Sequence, residues 1–242
     1  MDETENIEKL EQLINYHYFN SKNYENVCKY CLEALEYDPH NGSVLATLTH
    51  AYFEVLNFDN EREFALFIET AEKALMHLKP AARSRAVVLN LLGIGYRRRD
   101  SYDKAAEYFK QAVETKSHSG EFLGNYAEAI AHLGRVDEAE TLLNRAEELS
   151  PQDYYTLQAK SNFLEEFRRD RKAEEETLSR LLPLSTDPQR TYYRIARFHR
   201  KYGEFQEAYD YYVKALLVNP KNDDILEKLR ELEDMGYGKR EQ

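Results

Sequence analysis

The stretch YGEFQEAYDYYVKALLVNP, Tyr202 to Pro220, holds four tyrosines, three of them between residues 209 and 212, spaced among alanines with none of the alternation a strand requires. An earlier stretch, SYDKAAEYFKQAVET from Ser101, repeats its plan. Ala105, Phe109 and Ala112 stand at the same offsets as Ala208, Tyr212 and Ala215. The two sets lie 103 residues apart, one more than three times 34, and Ala139, Leu143 and Ala146 in GRVDEAETLLNRAEELSP fall 34 residues after the first. A further step reaches Ala173, where the pattern is weak. A period near 34 with small residues at fixed offsets predicts a helical hairpin stacked many times over.

The bulk numbers agree with that reading and exclude several others. Of 242 residues, 42% are hydrophobic and only nine are Gly and six Pro, which suits a mostly helical folded chain. The acidic start MDETENIEKLEQ has neither the basic beginning nor the apolar core of a signal peptide, so a cytoplasmic protein is expected. No apolar run nears the ~20 residues that cross a bilayer, and no membrane insertion is expected. A net charge of −11 argues against nucleic acid as a partner, since phosphate contacts need basic surface. The two cysteines form CKYC, Cys28 to Cys31, inside a predicted helix, where small apolar packing outweighs redox chemistry or half a zinc site. No phosphate loop, G-x-S-x-G or H-E-x-x-H occurs, and the seven histidines are dispersed, so no catalytic, metal or cofactor site is expected.

The segments resemble tetratricopeptide repeats. LNLLGIGY places Leu89, Leu92, Gly93 and Tyr96 in the four positions of the family's first half-motif, and Ala105, Phe109 and Ala112 supply the second. Frames built outward from there are 8–41, 42–85, 86–119, 120–153, 154–187 and 189–222, with a capping helix at 223–235. The second frame carries ten extra residues, expected as about six around Asn57 to Glu63 and the rest near Lys79 to Arg85. The expectation is an all-α, right-handed α-α superhelical solenoid of about six hairpins plus the cap, as a single domain over 1–242. Small residues, Gly93, Ala127, Ala196, Ala105, Ala139 and Ala208, are expected where helices cross closely. Most of the 19 tyrosines are expected in the core. Gly134 and Gly203 suit left-handed helix caps.

The resemblance implies a groove lined by the first helix of each repeat. In the first three repeats that surface comprises Tyr16, Phe19, His50, Phe53, Val87, Asn90 and Ile94, then Arg97 and Arg98, and the alternative is that neighbouring segments cover these side chains. The sixth frame, 189–222, holds seven basic residues against three acidic. Arg190, Arg194, Arg197 and Lys201 recur at i, i+4, i+7 and i+11, one helical face, with Arg200 beside them and Tyr193 between. Either the stripe clamps acidic groups of a peptide, or Glu128, Glu165, Glu166, Asp224, Glu227 and Glu231 neutralise it internally. Chaperone-binding members of the family use a set of two lysines, two asparagines and an arginine, in which only Asn162 and Arg197 fall in matching places here, so a heat-shock-protein tail is not the expected ligand. The family's habit implies a protein-interaction adaptor or scaffold for a protein or peptide with hydrophobic and acidic groups. A peptide-sensing regulatory subunit is the competing reading, and an enzyme has no motif to support it.

Overall fold

A computed structural model describes residues 3–115 and 119–238; His118 lies outside them. Thirteen α-helices and no strand occur among the described residues. Their contacts fall into two compact units, Met1–Leu149 and Ser150–Gln242.

In the first unit, α1 (Glu3–Asn15), prolonged by a π-helical turn Tyr16–Ser21, pairs with α2 (Tyr24–Tyr37). Next come α3 (Gly42–Val55) with α4 (Glu61–His77), α5 (Arg83–Arg97) with α6 (Tyr102–Glu114), and α7 (Gly120–His132) with α8 (Val136–Leu149). The second unit holds α9 (Tyr154–Phe163), again ending in a π turn, Leu164–Arg168, and paired with α10 (Arg171–Leu181) and its 3₁₀ extension Leu182–Leu184. There α11 (Pro188–Lys201) pairs with α12 (Phe205–Val218), and α13 (Asp223–Asp234) closes the unit.

Local chemistry sets these boundaries. Asn23, Asn41, Asn60, Asp153, Asp170, Asp187 and Asn222 each stand just before a helix and accept a backbone N–H from its first turn, meeting donors that the helix itself leaves open. At the other end, Gly134 and Gly203 adopt φ of +82° and +78°, and the following N–H groups of Arg135 and Glu204 reach back to the carbonyls of Ile130 and His199. Asp100 makes the same turn at φ +56°, and Lys22 and Arg169 end the two π turns at +49° and +54°. Left-handed backbone is therefore used at five hairpin turns, and only two of them spend a glycine on it.

Burial follows the repeat. Ala105, Ala112, Ala139, Ala146, Ala208 and Ala215 are buried, with Phe109, Leu143 and Tyr212 as the large partners. A Cβ on Gly93 would lie 2.5 Å from Phe109 ring carbons, and one on Gly95 would lie 2.8 Å from Phe67 Cε1, so α5 approaches both of its neighbours through glycine. On α13, Ile225, Leu229 and Leu232 are buried against Ala208, Tyr212 and Ala215, while Leu226 is half-buried.

Two expectations need correction. The second hairpin does not place six extra residues between its helices. The loop is residues 56–60, and much of the expansion instead lengthens α4 to 17 residues, because EREFALFIETAEKALMH keeps an apolar face throughout. Most tyrosines are not core either. Only Tyr52, Tyr126 and Tyr212 are fully buried and thirteen of the nineteen are half-buried, since a ring at the edge of the core keeps its hydroxyl near water or a partner. Among the described residues no helix is long and apolar enough to cross a membrane.

Candidate functional site

The basic stripe of α11 opens onto a cleft of about 460 Å³ in the second unit. Arg197, Arg200, Lys201 and Tyr193 come from α11, Tyr212 from α12, Lys228 from α13 and Glu165 from the π turn after α9. One turn of helix separates Tyr193, Arg197 and Arg200 or Lys201, which is why a single face supplies most of the lining. Four cations thus face one lining carboxylate.

Each cation is nonetheless engaged. Arg197 donates to Glu165 at 3.1 Å, and Arg200 and Lys228 share Glu231 of α13 at 2.6 and 3.0 Å. The Lys201 Nζ lies 3.3 Å from Glu174 of α10 and 3.1 Å from the Glu165 carbonyl. Arg194 points inward and donates to Asn162, and burial lowers its pKa. Only Arg190, at the exposed start of α11, has no side-chain hydrogen bond or ion pair among the described residues. The Tyr193 hydroxyl is pushed up to about 12, first by burial and then by the neighbouring Asp224 carboxylate. Of the six acids expected to neutralise the stripe, Glu165 and Glu231 do so. Glu128 is committed elsewhere, to Arg97 of the first unit.

The neutralising residue that sequence reasoning missed is Glu174. It is 1% exposed, bonded to Lys201 and to the Tyr202 hydroxyl, and desolvation raises its pKa despite Lys201. The run EEE at 174–176 looks like a solvated face, and the one hint of a buried member is that Glu174 falls one residue after the small position Ala173.

The first unit distributes its candidates differently. Tyr16 and Phe19 are 56% and 69% exposed in the first π turn. Phe53 is not free: it packs against Phe58 and Phe67, and the Arg98 guanidinium covers its ring at 4.1 Å. Asn90 is buried, bonded to Asn125 at 3.0 Å and to Glu121, and Arg97 joins this chain through Asn125 and Glu128. Ile94 and Val87 are half-buried. His50 lies between the Tyr18 and Tyr24 rings, at 5.2 and 5.7 Å, and burial lowers its pKa. Cys31 is buried and Cys28 half-buried, and burial pushes their thiols up to about 12 and about 11, the reverse of a reactive pair.

Tetratricopeptide repeat models match residues 97–161 and 190–222. The chain is a tetratricopeptide repeat protein. Solved structures share the fold. A tetratricopeptide repeat protein from Parabacteroides merdae superposes with a TM-score of 0.71 at 16% identity, covering 94% of this chain and 84% of that one. PilF of Pseudomonas aeruginosa gives 0.66 at 16% identity, covering 96% and 98%. A chain of the APC/C hetero-tetramer Cut9–Hcn1 gives 0.68 at 14% identity over 93% of this chain, which spans only 46% of that one. At such identities the likeness is one of fold. No curated protein sequence matches this repeat protein.

Proposed function

We propose that this tetratricopeptide repeat protein is an interaction adaptor that holds an acidic segment of a partner protein in the α11 cleft. The observation that supports it is the imbalance of the lining, with Arg197, Arg200, Lys201 and Lys228 around an open cleft and Glu165 alone opposing them there. The internal pairs do not close the site. Arg197 is 54% exposed, and exposed pairs contribute ~0–1 kcal/mol each, so a carboxylate on a partner exchanges with Glu165 or Glu231 at little cost. The half-buried Tyr193 gives the same cleft ring surface for an apolar neighbour of that carboxylate, with the buried Tyr212 behind it. That a protein with this fold takes part in the Cut9–Hcn1 hetero-tetramer is consistent with an assembly role.

The test uses a fluorescent decapeptide of Glu and Leu titrated with the full chain at several salt concentrations. Arg197→Glu with Arg200→Glu should weaken binding several-fold and flatten its salt dependence, with helical content by circular dichroism unchanged. Unchanged affinity in a folded double variant would show that the stripe only laces α11 to its neighbours.

A further inference from the structure

Two histidines that stand 37 residues apart in the sequence meet in the first unit. His40 lies in the turn before α3 and His77 is the last residue of α4. Their ring centres are 4.6 Å apart, with the planes tilted by 36°. Both side chains are exposed, and neither ring has a hydrogen-bond or ion-pair partner among the described residues, so their nitrogens are open to an incoming group. Histidines dispersed along the chain are thus not dispersed in space.

The backbone fixes where the two rings stand. Asp38 accepts the His40 N–H at 3.2 Å, and the Asn41 side chain caps α3 through the Val44 N–H at 3.1 Å, which holds the turn between them. Gly42 then brings the start of α3 against the end of α4, where a Cβ would lie 3.0 Å from the His77 carbonyl carbon and oxygen. No side chain fits between these two segments, and the rings on either side are held as neighbours. The surroundings favour a cation. The end of α4 carries the negative pole of its helix, and the Asp38 carboxylate sits on the same turn as His40.

The ring spacing selects a coordination geometry. An imidazole nitrogen binds a late first-row divalent cation at about 2.0–2.1 Å, and the ring centre lies roughly 1.1 Å further out, so a shared metal stands about 3.2 Å from each centre. Centres 4.6 Å apart subtend an angle of about 90° at such a metal, the cis angle of a tetragonal site. A tetrahedral zinc ion would need the centres about 5.2 Å apart. No group of three or more His, Cys, Asp or Glu side chains is placed to hold a metal among the described residues, so the chain supplies two ligands and no more here. We propose that His40 and His77 form a two-imidazole seat for a tetragonal divalent cation of the Cu²⁺ or Ni²⁺ type, with water in the remaining positions. Bound there, the ion clips the turn before α3 to the end of α4 and exchanges readily, because two ligands do not enclose it. The seat is separate from the α11 cleft and does not depend on what that cleft binds.

The test titrates the untagged full chain, freed of metal with EDTA, with Cu²⁺, Ni²⁺ or Zn²⁺ in a calorimeter, using a buffer that does not coordinate metals. One Cu²⁺ should bind per chain, with Ni²⁺ weaker and Zn²⁺ weaker still. His40→Gln and His77→Gln should each lower the Cu²⁺ affinity ten-fold or more, with circular dichroism confirming the fold, since both residues are exposed. His132→Gln, at a ring stacked on Tyr102, should leave it unchanged. Electron paramagnetic resonance of the copper-loaded chain should report two equatorial imidazoles, and one in each single variant. The proposal is overturned if either folded variant keeps the full affinity, if the unaltered chain binds no Cu²⁺ or shows fewer than two imidazoles, or if Zn²⁺ binds more tightly than Ni²⁺.

Discussion

Glu174 is a buried carboxylate whose environment opposes its ionised form. Folding raises its pKa, chiefly by desolvation, with Lys201 and the Tyr202 hydroxyl pulling the other way and Glu165 adding to the rise. A group raised on folding favours the folded state fully below its unfolded pKa and loses that contribution as pH climbs through the folded value, so at neutral pH the buried carboxylate is a cost. Glu174→Gln keeps the shape without the charge. It should raise the melting temperature at pH 7 by about 2–4 °C, the equivalent of roughly 1 kcal/mol in a chain this size, and the gain should vanish near pH 4. A loss at pH 7 would show that the Lys201 pair outweighs the burial. Lys22 and Arg169 hold positive φ without being glycine, a strain of roughly 1–2 kcal/mol that glycine relieves and its larger unfolded-state entropy partly offsets. Lys22→Gly and Arg169→Gly should each stabilise by up to about 1 kcal/mol in urea denaturation, whereas Gly134→Ala, at φ +82° with nothing near its absent Cβ, should destabilise through backbone strain alone.

Between elements, the sequence was readable wherever a contact repeats. The 34-residue spacing of small residues located α5 to α8, α11 and α12 to within a few residues, because Ala105, Ala139 and Ala208 serve the same helix crossing. It was also sound at Gly93, and this gives a stability test. Ala there would press on Phe109, which is fully buried and cannot withdraw, at an overpacking cost of ~1–3 kcal/mol against a helix-propensity gain near 1. Gly93→Ala should therefore lower stability by up to about 2 kcal/mol in thermal or urea unfolding, and a gain would mean that α5 slides freely past α6. Reading failed where chemistry does not recur with the period. The N-cap residues Asn23, Asn60 and Asp187 are visible as Asn or Asp before apolar-periodic runs, yet the repeat frame draws attention past them. The second hairpin's added residues went into helix rather than loop because nothing in a loop count registers an apolar face that simply continues. Phe53 could not be told from a ligand-facing aromatic, since its cover, Arg98, comes from another helix 45 positions along the chain.

For the molecule as a whole, charge was legible in total but not in its pairing. A stripe of arginines on one helical face can be read from spacing, whereas whether Glu165, Glu174 and Glu231 reach it depends on how α9, α10 and α13 pack around α11, and no single-helix pattern contains that. Arg83, a cation with no ion pair among the described residues, lies outside every motif and is marked only by the cleft it lines with Tyr18 and His50. A fold built from repeats also distributes its stability locally, because each hairpin contacts its neighbours rather than a common centre. The contacts divide at residue 149, and Tyr212 lies fully inside the second unit's cluster with Ala196, Ile225 and Leu232. Tyr212→Ala removes the largest buried side chain of that cluster, a loss of the order of 3–5 kcal/mol. Hydrogen exchange on the full chain should then show amides of α11 to α13 opening faster by a hundred-fold or more, while those of α3 to α6 keep their protection within a few-fold. A uniform acceleration across all thirteen helices would instead make the chain one cooperative unit, and the division at residue 149 would carry no energetic meaning.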